Sequence, residues 1–381
     1  MTFKKLHICL LAAIMVVGVV VTSTQAEEKV WVGLVGIMTG PNAQNGEFTR
    51  TGAQLAVDEI NTAGGVKLPN GETRNLGLIV VDDQGKPDIG LNAIRKLVAD
   101  ERVLGFMGPD YSGITFPTLF VGEEAGVSQI TSSIAKKITH SGFKHIFRGR
   151  SNDEMWIKAL IDYSVGKLSK KSIGISFTNI ELGRSGRDVA KAYLKDKYGI
   201  KPVVEVSHTY GDRDLTASAA KIVKANPDLL IDWGTQIEAA LLIRALRNLG
   251  WQGTFAYNAA DDIFTSLAKE LSVGVIGPQN WVWSKDDSKT KKFVNAYESK
   301  HGKKPSPHSV IYYDAVHLFV QAISQAGPNR KAIMDYLHAL EEWDGVEGSY
   351  RPSTEGGDMS TATVIIKYNE EILPVVVTEF E

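Results

Sequence analysis

The chain has 381 residues, a formal net charge of −2, 43% hydrophobic residues and one cysteine. That balance offers no basic surface for nucleic acid, no disulfide framework and too much apolar content for a disordered chain. Its length exceeds what one hydrophobic core usually serves, which predicts two lobes.

The N-terminus carries Lys4 and Lys5, an apolar stretch from Ile8 to Val21, and Thr24 and Ala26 as small residues ahead of a cut. These are the parts of a secretory signal, with cleavage expected after Ala26. The stretch is shorter than the roughly 20 apolar residues a bilayer span needs, which argues against an anchor. Cys9 lies near the start of the apolar core, poorly placed for lipid attachment. Cleavage removes two lysines and no acid, so the formal charge moves from −2 to −4 and the mature chain has no cysteine.

An apolar strand from Val30 to Ile37 then enters a polar, glycine-containing loop. Ala53, Ala56, Val57 and Ile60 follow at the spacing of one buried helix face, and Gly64 and Gly65 stop that helix. Asn70-Gly71 predicts a hairpin turn leading to a strand over Leu76 to Val81. Ile89, Ala93, Ile94, Leu97 and Val98 form the next helix face, and Val103 to Met107 the next strand. Gly113 to Ala125 reads as a helix with Pro117 in its first turn, because proline has no N–H for an interior position. Val127 to Ile130 is a strand.

A second series starts near Arg150. Helices are expected at Met155 to Val165, Arg184 to Lys197 and Ile237 to Asn248. The strands between them are Ser172 to Phe177, Val203 to Val206, Leu229 to Ile231 and Phe255 to Tyr257. The order then changes. Helices around Phe293 to Ser299, Tyr312 to Gln325 and Lys331 to Leu340 precede strands near Thr363 to Tyr368 and Leu373 to Thr378. This alternation predicts an α/β fold of two doubly wound lobes with mostly parallel sheets. Such sheets hold ligands at the carboxyl ends of their strands, and two facing edges make a cleft.

Catalytic and metal signatures are missing from the sequence. The eight histidines are scattered, and no Walker loop, G-x-G-x-x-G or G-x-S-x-G occurs. Gly183-Arg184-Ser185-Gly186 reads as a loop entering a helix. Asp82-Asp83 and Asp261-Asp262 pair carboxylates, but neighbours in an extended segment point to opposite sides, so neither is by itself an acid/base dyad. The polar loops after strands are more informative. Asp110-Tyr111-Ser112 opens a helix whose free N–H groups suit a carboxylate, although Ser112 capping its own helix is an equal reading. Thr131-Ser132-Ser133-Ile134-Ala135 is a second such loop with the same ambiguity. Thr235 lies in a third, between the strand at Leu229 and the helix at Ile237.

Several segments, taken in order, resemble the periplasmic binding proteins of ABC transporters for branched-chain amino acids. They are Gly36-Ile37-Met38-Thr39-Gly40-Pro41, Val57-Asp58-Glu59-Ile60-Asn61, Ala63-Gly64-Gly65-Val66, Val81-Asp82-Asp83 and Tyr313-Asp314-Ala315-Val316. The resemblance runs through nearly the whole mature chain. It implies two lobes joined by three hinge crossovers: residues 27–148 with 284–355, and residues 149–283 with 356–381. It also implies that Ser112 holds a solute carboxylate, helped by the loop of Ser133 and Ala135, where Ala135 replaces a usual threonine. The acid that grips the solute's ammonium in relatives falls near Ala259 here, with Asp261 and Asp262 just beyond. Asn45 and Leu182 stand where relatives often carry covering tyrosines, and Gly85 and Tyr111 where some carry a disulfide.

A buried ammonium without an anionic partner costs several kcal/mol. Unless Asp261 or Asp262 reaches the cleft, an aliphatic or aromatic acid or an amide therefore fits better than an amino acid, with Tyr111, Trp233 or Tyr257 as apolar walls. The resemblance implies a monomeric, non-enzymatic solute receptor without a cofactor, working with a membrane permease. A ligand sensor subunit of the same fold is the alternative.

Overall fold

A computed structural model describes residues 28–353, 356–359 and 363–380. The expected export signal, residues 1–26, lies outside the described residues. Strands and helices alternate from the first described segment. In chain order they are β1 (Val30–Gly36), α1 (Ala43–Thr62), β2 (Val66–Lys67), β3 (Thr73–Arg74), β4 (Leu76–Asp82), α2 (Pro87–Ala99), β5 (Val103–Met107), α3 (Ser112–Ala125), β6 (Ser128–Thr131) and β7 (Ile146–Arg148). The chain continues through α4 (Asp153–Ile161), β8 (Ile173–Thr178), α5 (Glu181–Tyr198), β9 (Val204–His208), α6 (Thr216–Ala225), β10 (Leu229–Trp233), α7 (Gln236–Asn248), β11 (Thr254–Tyr257), α8 (Asp262–Ala268) and β12 (Ile276–Gln279). It ends with α9 (Ser288–His301), α10 (Pro307–Ala326), α11 (Arg330–His338), β13 (Trp343–Asp344), β14 (Ser349–Tyr350), β15 (Thr363–Tyr368) and β16 (Pro374–Phe380).

Two sheets carry the architecture. The first has the order β4-β1-β5-β6-β7 and is parallel throughout. The second has the order β16-β15-β12-β11-β10-β8-β9, parallel except where β15 and β16 run antiparallel at one edge. Strands such as β5 and β8 are buried along their whole length. This follows from helices covering both faces of a parallel sheet. Strand order reverses between β1 and β5 in one sheet and between β8 and β10 in the other. At such switch points the loops part and leave room for a ligand.

The late helices pack on the first sheet. Val310, Ile311, Ala315, Leu318 and Phe319 of α10 share a core with Val32, Leu34, Ala53, Ala56 and Val57. The contact is close enough that a Cβ on Gly52 of α1 would stand 2.1 Å from the Ser309 carbonyl. After α11 the chain leaves this core, and β15 and β16 extend the second sheet.

Two local expectations are corrected. Pro117 is the sixth residue of α3, not part of its first turn. The helix begins at Ser112, and the Gly113 carbonyl forgoes the donor that proline lacks. Gly183-Arg184-Ser185-Gly186 lies inside α5 and is not a loop. Its glycines let the helix approach β8 and β10: a Cβ on Gly183 would sit 1.9 Å from the Thr178 carbonyl, and one on Gly186 2.0 Å from the Trp233 ring.

Candidate functional site: a closed cleft between the strand ends

A cavity of about 510 Å³ lies where the carboxyl ends of the two sheets face each other. The first sheet contributes the loops after β4, β5, β6 and β7, and the second the loops after β8, β9, β10 and β11 together with the last residue of β12. Pro307 and His308 at the start of α10 complete the wall. Side chains meet across the mouth. Asn42 Nδ2 donates to the Tyr210 hydroxyl (2.9 Å), and Lys137 pairs with Glu181 (2.5 Å).

The loop after β5 is fixed from below. Gly108 has φ +83°, and a Cβ there would stand 1.9 Å from the Val35 carbonyl, so this crossing requires glycine. Gln129 Nε2 donates to the Gly108 carbonyl (2.7 Å). The Pro109 carbonyl receives the hydroxyls of Thr131 (2.7 Å), Thr115 (3.1 Å) and Ser133 (3.1 Å). These bonds hold Asp110, Tyr111 and Ser112 at the cavity wall.

Ser112 is the first residue of α3. Tyr111 occupies the cap position without a side-chain cap bond, so capping is not the role of the Ser112 hydroxyl. Its Oγ accepts from the Ala135 N–H (3.2 Å), which leaves its own proton free for an acceptor in the cavity. Ala135 is therefore one layer behind the wall. Ser133 is also behind it, donating to the Pro109 and Asp110 carbonyls (3.1 and 2.9 Å). Ser132 and Ile134 face the cavity in their place. Alternation along an extended loop turns successive residues to opposite sides.

The remaining expected residues divide in the same way. Tyr111, Leu182, Thr235 and Asp261 line the cavity. Asn45 does not: it is buried in α1, and its Nδ2 holds the Tyr111 hydroxyl (2.9 Å). Thr235 precedes α7 and gives its hydroxyl to Glu238. Asp261 caps α8, accepting from the N–H groups of Ile263 (3.1 Å) and Phe264 (2.9 Å) and from Gln236 Nε2 (3.2 Å). Burial raises its carboxyl pKa despite the nearby His308 and these donors. Asp262 is off the wall, and burial together with Asp261 pushes its carboxyl up to about 7. Ala259, near which the resemblance implied an ammonium-binding acid, is on the wall. Of the expected aromatic walls, Trp233 and Tyr257 are fully buried core residues; Tyr111 alone reaches the cavity.

Sequence reading missed Asp110, Arg150, Trp156, Tyr210, Gln236, Asn258 and Gln279, all on the wall. Asp110 is buried and accepts from Ser132 (2.6 Å), Tyr312 (2.6 Å) and Thr49 (3.1 Å), with His308 Nδ1 at 3.7 Å. Burial opposes its charge, yet His308 and these hydroxyls hold the carboxyl below its ordinary range. Arg150 is 5% exposed, and its guanidinium carbon lies 4.3 Å from the centre of the Trp156 ring. Trp156 is held in turn by its Nε1–H to Ser151 Oγ (2.7 Å). A basic residue two positions past the end of a buried strand was the available signal for Arg150.

A profile of the periplasmic binding protein family matches residues 29–371. An amino acid binding protein of Pseudomonas aeruginosa is 31% identical over 277 residues, 72% of this chain and 71% of that protein. The leucine-, isoleucine-, valine-, threonine- and alanine-binding protein of the same organism is 28% identical over 320 residues, 83% of this chain and 84% of its own. Among solved structures, LivJ of Streptococcus pneumoniae, a branched-chain amino acid transporter substrate-binding protein in complex with isoleucine, superposes with a TM-score of 0.82. It is 23% identical and covers 92% of this chain and 99% of its own. Among the described residues no helix is long and apolar enough to cross a membrane.

Proposed function

The chain belongs to the periplasmic binding protein family, and on that premise we propose that it captures a small carboxylate- or amide-bearing solute and hands it to the membrane permease of an ABC importer. The observation that carries this reading is the cavity itself, framed by two facing sets of strand-end loops and bridged at its mouth by Asn42–Tyr210 and Lys137–Glu181. Ligand contacts to both sides favour the closed arrangement over an open one, a population shift that presents one closed surface to the permease. The lobes are residues 27–148 with 284–355 and residues 149–283 with 356–381. The mature protein is a monomer released into the periplasm after cleavage behind Ala26, and it binds its solute without turning it over.

Ser112, Tyr111, Leu182, Thr235 and Asp261 touch the solute, while Asn45, Ser133 and Ala135 hold the residues that do. Relatives named for amino acids support a ligand of that size and polarity. A thermal-shift screen of purified protein against amino acids, aliphatic acids, aromatic acids and amides tests the reading. A ligand at 100 times its Kd adds about 2.7 kcal/mol of stability. A flat response across all four classes, or turnover of the bound solute, overturns it.

A further inference from the structure

Charged groups on the cavity wall are satisfied very unequally. Asp110 accepts three hydrogen bonds, from Ser132, Tyr312 and Thr49. Asp261 also accepts three, from two backbone N–H groups and Gln236. Arg150, as deeply buried as Asp261, makes no hydrogen bond and no ion pair with any described residue, and its Nε is a buried donor without a partner. A guanidinium carries five N–H donors in a planar fork suited to a carboxylate. Leaving such a group dry and unpaired is costly, and native structures keep one only where something else completes it.

We infer that Arg150 is the electrostatic anchor of the cavity, and that the cargo is an organic anion whose carboxylate docks on its guanidinium and which brings no ammonium group. The inference rests on the solute-capture reading above and narrows its ligand class. Position supports the fork: the Trp156 ring packs against the guanidinium and is itself fixed by Ser151, so Arg150 is pre-oriented. Ile134, Phe116 and Leu182 supply apolar wall for the body of the acid. A zwitterion would also need an anion for its ammonium, and the three acids on the wall are already held: Asp110 by three hydroxyls beside His308, Asp261 by three neutral N–H donors, and Glu181 by Lys137. Burial lowers the pKa of Arg150 to about 10, with Glu347, Asp110, Tyr312 and Asp261 offsetting part of that effect, so the group is charged at neutral pH.

The test compares matched probes by calorimetry at pH 7: 4-methylpentanoate, its amide and leucine, and benzoate with benzamide. In wild-type protein an acid should bind at least about 100-fold more tightly than its amide. Arg150→Gln should remove that preference. Leucine should bind more weakly than its deaminated counterpart. Equal affinity for acid and amide, an unchanged acid Kd in Arg150→Gln, or tighter binding of leucine overturns the inference while leaving solute capture standing. No binding by any probe or any other solute class overturns the capture reading and this inference with it. Ligand-free Arg150→Met gives a second readout. Its melting temperature should equal or exceed wild type, because an unpaired buried charge has been removed; a clear fall assigns Arg150 to the scaffold and overturns the inference.

Discussion

Arg148 and Arg150 stand two residues apart where β7 ends; both are buried, and their surroundings are opposite. Arg148 donates from Nε to Asp358 Oδ1 (2.8 Å), from Nη1 to the Ser133 carbonyl (2.6 Å), and from Nη2 to the Ala135 carbonyl (3.0 Å) and Thr139 Oγ1 (2.6 Å). It ties three distant segments together and lies behind the wall. Arg150 has the same chemistry and none of these bonds. A buried charge whose hydrogen bonds are all made belongs to the structure, and one whose bonds are left open belongs to whatever arrives. The acids differ in parallel. Burial raises Asp358, but Arg148, Thr139 and Asn152 outweigh it and hold the carboxyl below its ordinary range. Glu347, near Arg150 without bonding it, is pushed up to about 8 chiefly by burial.

The largest effect that would break this contrast is Arg148→Met. It strands Asp358 and the carbonyls of Ser133, Ala135 and Lys136, and should lower unfolding stability by about 3–5 kcal/mol in urea denaturation. A loss below about 1 kcal/mol would place Arg148 in the same class as Arg150. Asp358→Asn keeps one acceptor oxygen for Arg148 and Thr139 but loses the charge and turns a donor toward Asn152 Nδ2, so about 1–3 kcal/mol is expected by the same measurement. Ser112→Ala should weaken the best acid ligand about tenfold in calorimetry, less than Arg150→Gln, since a neutral hydroxyl gives the smaller contribution. An effect exceeding that of Arg150→Gln would move the anchor from the arginine to the start of α3.

The pH profile sharpens the comparison at smaller amplitude. Asp314, buried beside the backbone N–H groups of Val346 and Glu347, is raised to about 7, and Glu347 to about 8. Both bind a proton more tightly folded than unfolded, so their contribution is complete below about pH 4 and is lost as pH rises through 7 and 8. Asp358 has the opposite sign: its contribution is present above about pH 4 and is lost on acidification below that. The melting temperature should therefore rise as pH falls from 9 to 6, and drop again in strong acid. A melting temperature that falls steadily from 9 to 6 would show that these acids are ionised in the folded protein.

Alternation of strand and helix was legible in the sequence because burial imposes a period on every long element. Some elements escaped: α8 and β12 have too few residues for periodicity to separate them from loops, and α6 buries only Ala219 and Ile222, too narrow an apolar face to stand out. At the site, the right loops could be found but not always the right residue. Ser132 and Ile134 face the cavity where Ser133 and Ala135 were expected, a difference of one step in side-chain alternation. The two arginines could not be separated at all. What distinguishes them is Asp358, 210 residues further on, and only the fold brings it beside Arg148.

The three hydroxyls gathered on the Pro109 carbonyl have a consequence for how such a protein changes its diet over evolutionary time. They freeze the near wall at Asp110, Tyr111 and Ser112 whether or not a solute is present, so a mutation there disturbs a network as well as a contact. The opposite wall is tied more sparsely: Thr235 gives its hydroxyl to Glu238, Asn258 accepts from the Gly234 N–H (2.8 Å) and Gln279 donates to the Ala260 carbonyl (2.9 Å), so a change at any one of them breaks fewer bonds. New specificities should therefore accumulate on the far side of the cleft, while the near side stays as inherited.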